Sequence, residues 1–389
     1  MIYRQFKDKK LSRLGMGNMR LPTTGERGPI DEAKARELIE YAYENGVNYF
    51  DTAYRYHGGQ SETFTSSVLR QYPRDTWYLA TKMPGHMMQY RDGHIEGIGY
   101  LSKEEIASPA QIFEDQLKRC GVDYFDFYLL HNVCETAWDF YTNEELGVVR
   151  YLLEQKKAGR IRHLGFSAHG RAETIDRFLS MFDCFEFVQI QLNYMDWILQ
   201  NADKKYEVIT KHGLPVVSME SCRGGRLASL SPEVDAMLKA QRPDDKIISW
   251  AFRFLQSLAN VDVVLSGMTT MEQLVENIEL FSKNDPTTEQ ENALLRKAIE
   301  TLATVVPCTA CGYCTEACPQ SLDIPKLISL SNEMRFNEHT FVMKFTLDAM
   351  AEKELPSACA ECGECVRLCP QEIDIPSVLK QFSHALANF

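Results

Sequence analysis

The 389-residue chain has no uninterrupted apolar run of membrane-spanning length, and its opening, MIYRQF, carries no apolar leader. Neither a membrane span nor export is expected, and the expected setting is cytoplasmic. Positive charge is in deficit: 42 Lys plus Arg stand against 54 Asp plus Glu, a formal charge of −12 and a pI near 5.3. A chain of that sign is a poor partner for nucleic acid or an anionic membrane, though it suits docking to a basic redox protein. Low-complexity segments are absent. No GxGxxG follows the first strand-like run, so a Rossmann nucleotide fold has no support. No flavin motif is readable.

Cysteine, by contrast, is abundant and ordered. Eight of the 12 cysteines fall in two runs. One is Cys308-x2-Cys311-x2-Cys314-x3-Cys318-Pro319, and the other is Cys359-x2-Cys362-x2-Cys365-x3-Cys369-Pro370. Each has the spacing of a bacterial [4Fe–4S] site. Three thiolates at i, i+3 and i+6 on a tight loop meet three corners of a cube, and in two-cluster ferredoxins the fourth cysteine serves the other cluster. The expected ligand sets are therefore Cys308, Cys311, Cys314 and Cys369 for one cluster, and Cys359, Cys362, Cys365 and Cys318 for the other. Gly312 and Gly363 hold matching places where the backbone must approach sulfide. Structural zinc is the alternative, but it takes ligands in two pairs, which a three-then-one run ending in Cys-Pro suits poorly. A disulfide framework does not fit a long cytosolic chain. Cys120, Cys134, Cys184 and Cys222 are scattered and read as buried thiols.

Residues 1–281 alternate short apolar runs with amphipathic stretches. Strands are expected near 12–20, 47–53, 77–82, 124–131, 162–168, 185–191, 215–221 and 261–267. Most are nearly continuous in apolar character, as strands buried on both faces are. Helices are expected at 31–45, 61–71, 109–120, 143–158, 172–181, 203–212, 246–258 and 271–281. Asp31 reads as an N-cap, and Ser108, Pro109 and Gly121 bracket the third helix. Eight β/α alternations predict an α/β fold: a closed (β/α)8 TIM barrel over 1–281. A helical connector follows over 282–306, with a helix through Glu289–Thr301. The last segment, 307–389, reads as a small, mainly α-helical two-[4Fe–4S] ferredoxin-like domain. Its cysteine runs are 40 residues apart, 319–358, longer than in small β-type ferredoxins. A helical 326–350 with Phe341, Val342 and Phe345 fills that gap. Residues 83–107 read as a loop over the barrel mouth. Its His86 and His94 are candidate metal ligands or, more commonly for such positions, solvated loop histidines.

Active sites of such barrels are built at the C-terminal strand ends. There the sequence has Asp51 with Tyr54 and Tyr56 beyond it, Thr81-Lys82, His131, Ser167, and Gln189 with Gln191. A free phenol is a weak acid with a pKa of about 10, and a neighbouring ammonium is expected to bring it down. Asp51 holds Lys82 in this reading, His131 orients a substrate oxygen, and Tyr56 exchanges a proton with it as hydride reaches or leaves carbon. The plainer alternatives are a buried Asp51–Lys82 ion pair, a surface Tyr56 with Tyr54 as rival, and a core His131.

Residues 1–281 resemble the aldo-keto reductase superfamily. The motifs are Asp51-Thr-Ala-x-x-Tyr56, Thr81-Lys82, Tyr128-Leu-Leu-His131, Gly159-Arg-Ile-Arg-x-Leu-Gly165-x-Ser167, Gln189-Ile-Gln191 and Glu276-Asn277. The whole chain resembles the subgroup with a C-terminal two-cluster domain, found mainly in anaerobes. The resemblance implies a tetrad of Asp51, Tyr56, Lys82 and His131, with NAD(P)(H) bound without a Rossmann fold. Ser167 and Gln189 would hold the carboxamide, Cys222, Arg223 and Gly225 of the 221–225 loop the pyrophosphate, and Glu276 and Asn277 the adenine. Ser167-Ala168 departs from the usual Ser-Asn, with His169 as a replacement. Gly267-Met268 and Gln273 stand where NADP-binding members have basic residues.

Hydride carries two electrons and a cluster one, so coupling them calls for a two-way carrier such as flavin in the same cleft. Three functions remain open. One is a carbonyl/alcohol oxidoreductase exchanging electrons with ferredoxin through its clusters. Another is an NAD(P)H reductase with structural or docking clusters. The third is a redox-sensing barrel without catalysis. Loops 83–107 and 192–202 shape the substrate pocket, with Trp138 and Trp197 as lining or packing residues.

Overall fold

Eight short, buried parallel strands close into a barrel. In this computed structural model the described residues are 1–25, 28–97, 101, 106, 108–302, 306, 308, 313–336, 347, 350–369 and 373–387. Cys311, Gly312, Phe341, Val342, Phe345 and Pro370 lie outside them. The strands in chain order are β1 (Tyr3–Phe6), β2 (Lys9–Ser12), β3 (Leu14–Gly17), β4 (Tyr49–Asp51), β5 (Tyr78–Met83), β6 (Met88–Arg91), β7 (His94–Gly97), β8 (Phe125–Val133), β9 (Ile161–Ala168), β10 (Val188–Gln191), β11 (Val216–Met219) and β12 (Val261–Ser266). The closed order is β10-β11-β12-β3-β4-β5-β8-β9. Each of the eight matches an expected run.

The helices between them begin and end where local chemistry dictates. Asp31 accepts from the Lys34 amide and opens Glu32–Glu44. Ser108 accepts from the Gln111 amide, Pro109 sits in the first turn, and Gly121 closes Pro109–Cys120 with φ +61°.

The barrel is filled, not hollow. Tyr49, Ala80, Phe127, Leu129, Phe187, Val217, Val263 and Leu265 meet inside it, and Phe6 and Leu11 of the β1–β2 hairpin join them. Each large apolar side chain so buried contributes about 1.5–3 kcal/mol. Gly165 makes room for one of them: a Cβ there would meet ring carbons of Phe187 at 2.5–2.7 Å. With the barrel interior occupied, the strand ends are the place within this unit for a site to form.

The chain divides into two compact units. The first is Met1–Ala228 with Lys246–Thr288, and the second is Ser229–Asp245 with Glu289–Phe389. This departs from bounds of 1–281, 282–306 and 307–389. Helix Glu289–Leu302 is part of the second unit, not a connector, and it packs against helix Pro232–Gln241. Val234, Leu238, Leu295, Ala298 and Ile299 are buried, and Arg242 Nε donates to Glu291 Oε1 at 2.6 Å. Those contacts draw a segment from the middle of the chain into the C-terminal unit.

Candidate active site

Four side chains from the ends of three strands meet at the C-terminal rim. Asp51 ends β4, Lys82 lies near the end of β5, and His131 lies near the end of β8. Tyr56 follows β4 by one turn. Lys82 Nζ donates to Asp51 Oδ1 at 2.6 Å and to the Thr52 carbonyl at 2.8 Å. The same ammonium lies 5.2 Å from the Tyr56 ring centroid, and that ring meets His131 edge-on at 6.1 Å. Tyr54 is turned elsewhere: its hydroxyl accepts from Arg119 at 3.0 Å, and the guanidinium stacks on its ring. Tyr56 is the tyrosine of the cluster.

Burial sets the electrostatics. It is the largest influence on Tyr56 and raises the phenol above its usual value, although Lys82 pulls the other way. The expectation that the ammonium would lower it is corrected: desolvation outweighs attraction, and Asp51 adds to the rise. Lys82 itself loses from desolvation, but Asp51 and Tyr56 more than reverse that and hold it cationic. His131 is pushed well below its usual value by burial, then by His86, Lys82 and His169. It is a neutral imidazole at neutral pH.

The cluster opens into a cavity of about 730 Å³ whose wall includes Asp51, Tyr56, His131, Gln189, Glu276 and Asn277. Ser221, Cys222, Gly224 and Gly225 form another part of that wall. Two buried acceptors there, Gln189 Oε1 and Glu276 Oε1, have no hydrogen-bond partner among the described residues. Glu276 Oε2 pairs with Lys246 at 3.2 Å, and Asn277 donates to Ser266 Oγ at 3.1 Å. A cavity of this size with orphaned amide and carboxylate oxygens and a glycine-lined loop fits an extended dinucleotide.

Other candidates fall differently. Ser167 is buried, its Oγ accepts from the Asn132 amide at 2.9 Å, and it is not in the wall. Arg223 donates from Nε to the buried Asp196 at 3.0 Å and is likewise absent from the wall. His169 does line it, and burial takes its pKa to about 4. Trp138 packs on Phe178 and Trp197 on Phe254, so both serve packing. Of the four scattered cysteines, Cys120 is buried, whereas Cys134, Cys184 and Cys222 are partly accessible.

Arg20, Arg55, Met87 and Glu220 also line the wall, though the sequence did not mark them as site residues, and so does His86, which by sequence was a candidate metal ligand or a loop histidine. The signal for His86 was its position four residues after Lys82 at a strand end. His94 instead lies on the β6–β7 hairpin.

In the second unit the two cysteine runs come together. Cys318, Cys359, Cys362 and Cys365 line one cavity walled by Leu322, Ile324, Pro376 and Leu379. Cys314 and Cys365 are buried in the core of this unit, with Cys308, Cys318, Cys359 and Cys369 packed against it. The fourth cysteine of the first run thus lines the same cavity as the first three of the second. An all-sulfur donor set in apolar surroundings fits an iron–sulfur cluster.

Comparison with known proteins finds a family for each part of the chain. The aldo/keto reductase family profile matches residues 13–300, and a 4Fe-4S dicluster domain matches 307–373. A probable aldo-keto reductase of Glycine max is 30% identical over 51% of this chain and 52% of its own length, so the chain spans about half of that relative. The NADH-specific methylglyoxal reductase of Escherichia coli is 24% identical, over 76% of this chain and 97% of its own. The holo form of aldo-keto reductase AKR11C1 from Bacillus halodurans superposes with a TM-score of 0.60, at 26% identity, covering 77% of this chain and 96% of that one.

Proposed function

The chain belongs to the aldo/keto reductase family, and from that premise we propose that this oxidoreductase interconverts a carbonyl and an alcohol by hydride transfer, with Tyr56 as the general acid/base. The observation that carries the reading is the meeting of Tyr56, Lys82, Asp51 and His131 at the cavity. Tyr56 gives its proton to the carbonyl oxygen in reduction and takes it back in oxidation. Lys82, held by Asp51 and Thr52, stabilises the phenolate that reduction leaves behind. Neutral His131 fixes the oxygen by a hydrogen bond without competing for the proton.

NAD(P)(H) is the proposed cofactor, with flavin as the alternative in the same cleft; when bound, the nicotinamide supplies or accepts the hydride and the clusters exchange single electrons. Gln189, Glu276 and Asn277 are the wall residues that would hold it, with Cys222 and Gly225 beneath the diphosphate. Ser167 and Arg223 would have to change partners to join them. Two [4Fe–4S] clusters are proposed in the crossed arrangement that the Cys318 cavity supports. They would connect the chemistry to ferredoxin or another redox protein in the cytoplasm. The reading with structural or docking clusters predicts no electron exchange with the barrel.

Anaerobic mixing with NADH and a carbonyl panel tests the proposal. Turnover is expected with the clusters changing absorbance, and Tyr56→Phe is expected to lose about 10²–10⁴-fold in kcat with both clusters retained. Near-normal turnover in Tyr56→Phe sinks the acid/base assignment. Turnover with silent clusters sinks the coupling.

A further inference from the structure

A second imidazole stands beside the catalytic one. His86 lies in the turn Gly85–Met87 directly after β5, with its ring centroid 4.4 Å from that of His131 and the planes at 64°. It lines the same cavity as Tyr56 and His131. Its Nδ1 is 3.1 Å from the His131 carbonyl oxygen. A carbonyl oxygen only accepts, so Nδ1 carries the proton and Nε2 of the neutral ring keeps a lone pair. Among the described residues nothing bonds Nε2, and it is not among the sealed polar atoms of the interior. Burial lowers the pKa of His86, which keeps the ring neutral at neutral pH.

The turn that carries His86 is fixed from below. The Tyr141 hydroxyl lies 2.7 Å from the His131 carbonyl and 3.0 Å from that of Met83. Gly85 admits the Tyr141 ring, whose atoms would be 2.3–2.7 Å from a Cβ at that position. The acceptor on His86 is therefore held in place before any substrate arrives.

We propose that His86 selects substrates with a hydroxyl on the carbon next to the reacting carbonyl: 2-hydroxyaldehydes and 2-hydroxyketones, or vicinal diols in the reverse direction. The proposal rests on the carbonyl–alcohol reading above. Nε2 accepts the hydroxyl proton while Tyr56 and His131 serve the neighbouring oxygen. Two imidazoles with centroids 4.4 Å apart are close enough to serve two oxygens on adjacent carbons. A second carbonyl or a carboxylate in that place would set lone pair against lone pair. A methylene would leave the acceptor without its water or a partner.

Lactaldehyde and propanal differ only in that hydroxyl, and the full chain with its clusters can be assayed on both with NADH and with NADPH. The ratio of kcat/KM, lactaldehyde over propanal, is expected to fall about 10- to 100-fold in His86→Phe, which keeps a ring and loses the acceptor. His86→Gln, whose amide oxygen accepts, is expected to recover part of the ratio. Circular dichroism and cluster absorbance should match the wild type in both variants. A ratio unchanged in His86→Phe, or lost equally in His86→Gln, overturns the assignment to His86 and leaves the carbonyl–alcohol reading standing. A wild-type protein that turns over neither aldehyde overturns that reading, and the His86 assignment with it.

Discussion

Tyr56 keeps its proton at neutral pH because burial outweighs the pull of Lys82. That fixes the sign of the pH dependence in each direction. Reduction uses the phenol, which persists until pH passes a value above the ordinary 10.0 of tyrosine. Oxidation uses the phenolate, which is scarce below that value. His131 stays neutral throughout, since its own value is depressed. We therefore expect kcat/KM for reduction to be level between about pH 6.5 and 9, and that for oxidation to climb about tenfold per pH unit over the same range. A fall in reduction with a midpoint near pH 8 would mean that the acid is a depressed phenol after all. At this scale the sequence exposes residue type and strand-end position, which is why Asp51, Tyr56, Lys82 and His131 were readable. It does not expose desolvation, so the direction of the Tyr56 shift was misjudged. Nor does it show which polar groups are already engaged, as Ser167 is by Asn132 and Arg223 by Asp196.

Elements with local signals were readable to within a few residues, and those whose reason lies elsewhere were not. Asp31, Ser108 and Gly121 mark helix ends through contacts with their own neighbours. The β1–β2 hairpin turns at Lys7, with φ +48°, without the usual Asn-Gly or Asp-Gly pair. Its purpose, placing Phe6 and Leu11 inside the barrel, is a tertiary one. The β6–β7 hairpin did carry a sign, the Asp92-Gly93 pair, both with positive φ in its turn, yet 83–107 reads as loop because four glycines and two histidines are scattered through it. Gly85 is the residue on which the preceding turn depends. Gly85→Ala forces a Cβ into the Tyr141 ring, so the turn or the ring must shift. Overpacking of this kind costs about 1–3 kcal/mol. We expect a lower thermal midpoint for the barrel, followed by tryptophan fluorescence, and a loss of kcat/KM with the clusters unaffected. An unmoved midpoint would show that Tyr141 yields without strain.

Across the whole molecule, chain order and spatial order part company. The C-terminal unit recruits Ser229–Asp245 from between two barrel elements, an exchange invisible to a reading that places domain bounds along the sequence. The cysteine runs show the same crossing on a smaller scale. Cys318 belongs to the first run in sequence and to the second run's cavity in space. One cluster would then join segments 41 residues apart, Cys318 to Cys359, and the other segments 55 apart, Cys314 to Cys369, each closing a loop that chain entropy otherwise opposes. The two halves of this small core depend on one another in that arrangement: apolar Leu322, Ile324 and Leu379 surround thiols drawn from both runs. The arrangement makes a specific prediction for anaerobically prepared protein. Cys318→Ala and Cys359→Ala should lose the same cluster by electron paramagnetic resonance, each with about half the iron and sulfide of the parent chain. Cys314→Ala should lose the other. Loss of one common signal in Cys314→Ala and Cys318→Ala would instead assign each run its own cluster. The cavity shared by Cys318 and Cys359 would then be a packing feature, and the C-terminal unit two independent beads rather than one interlocked core.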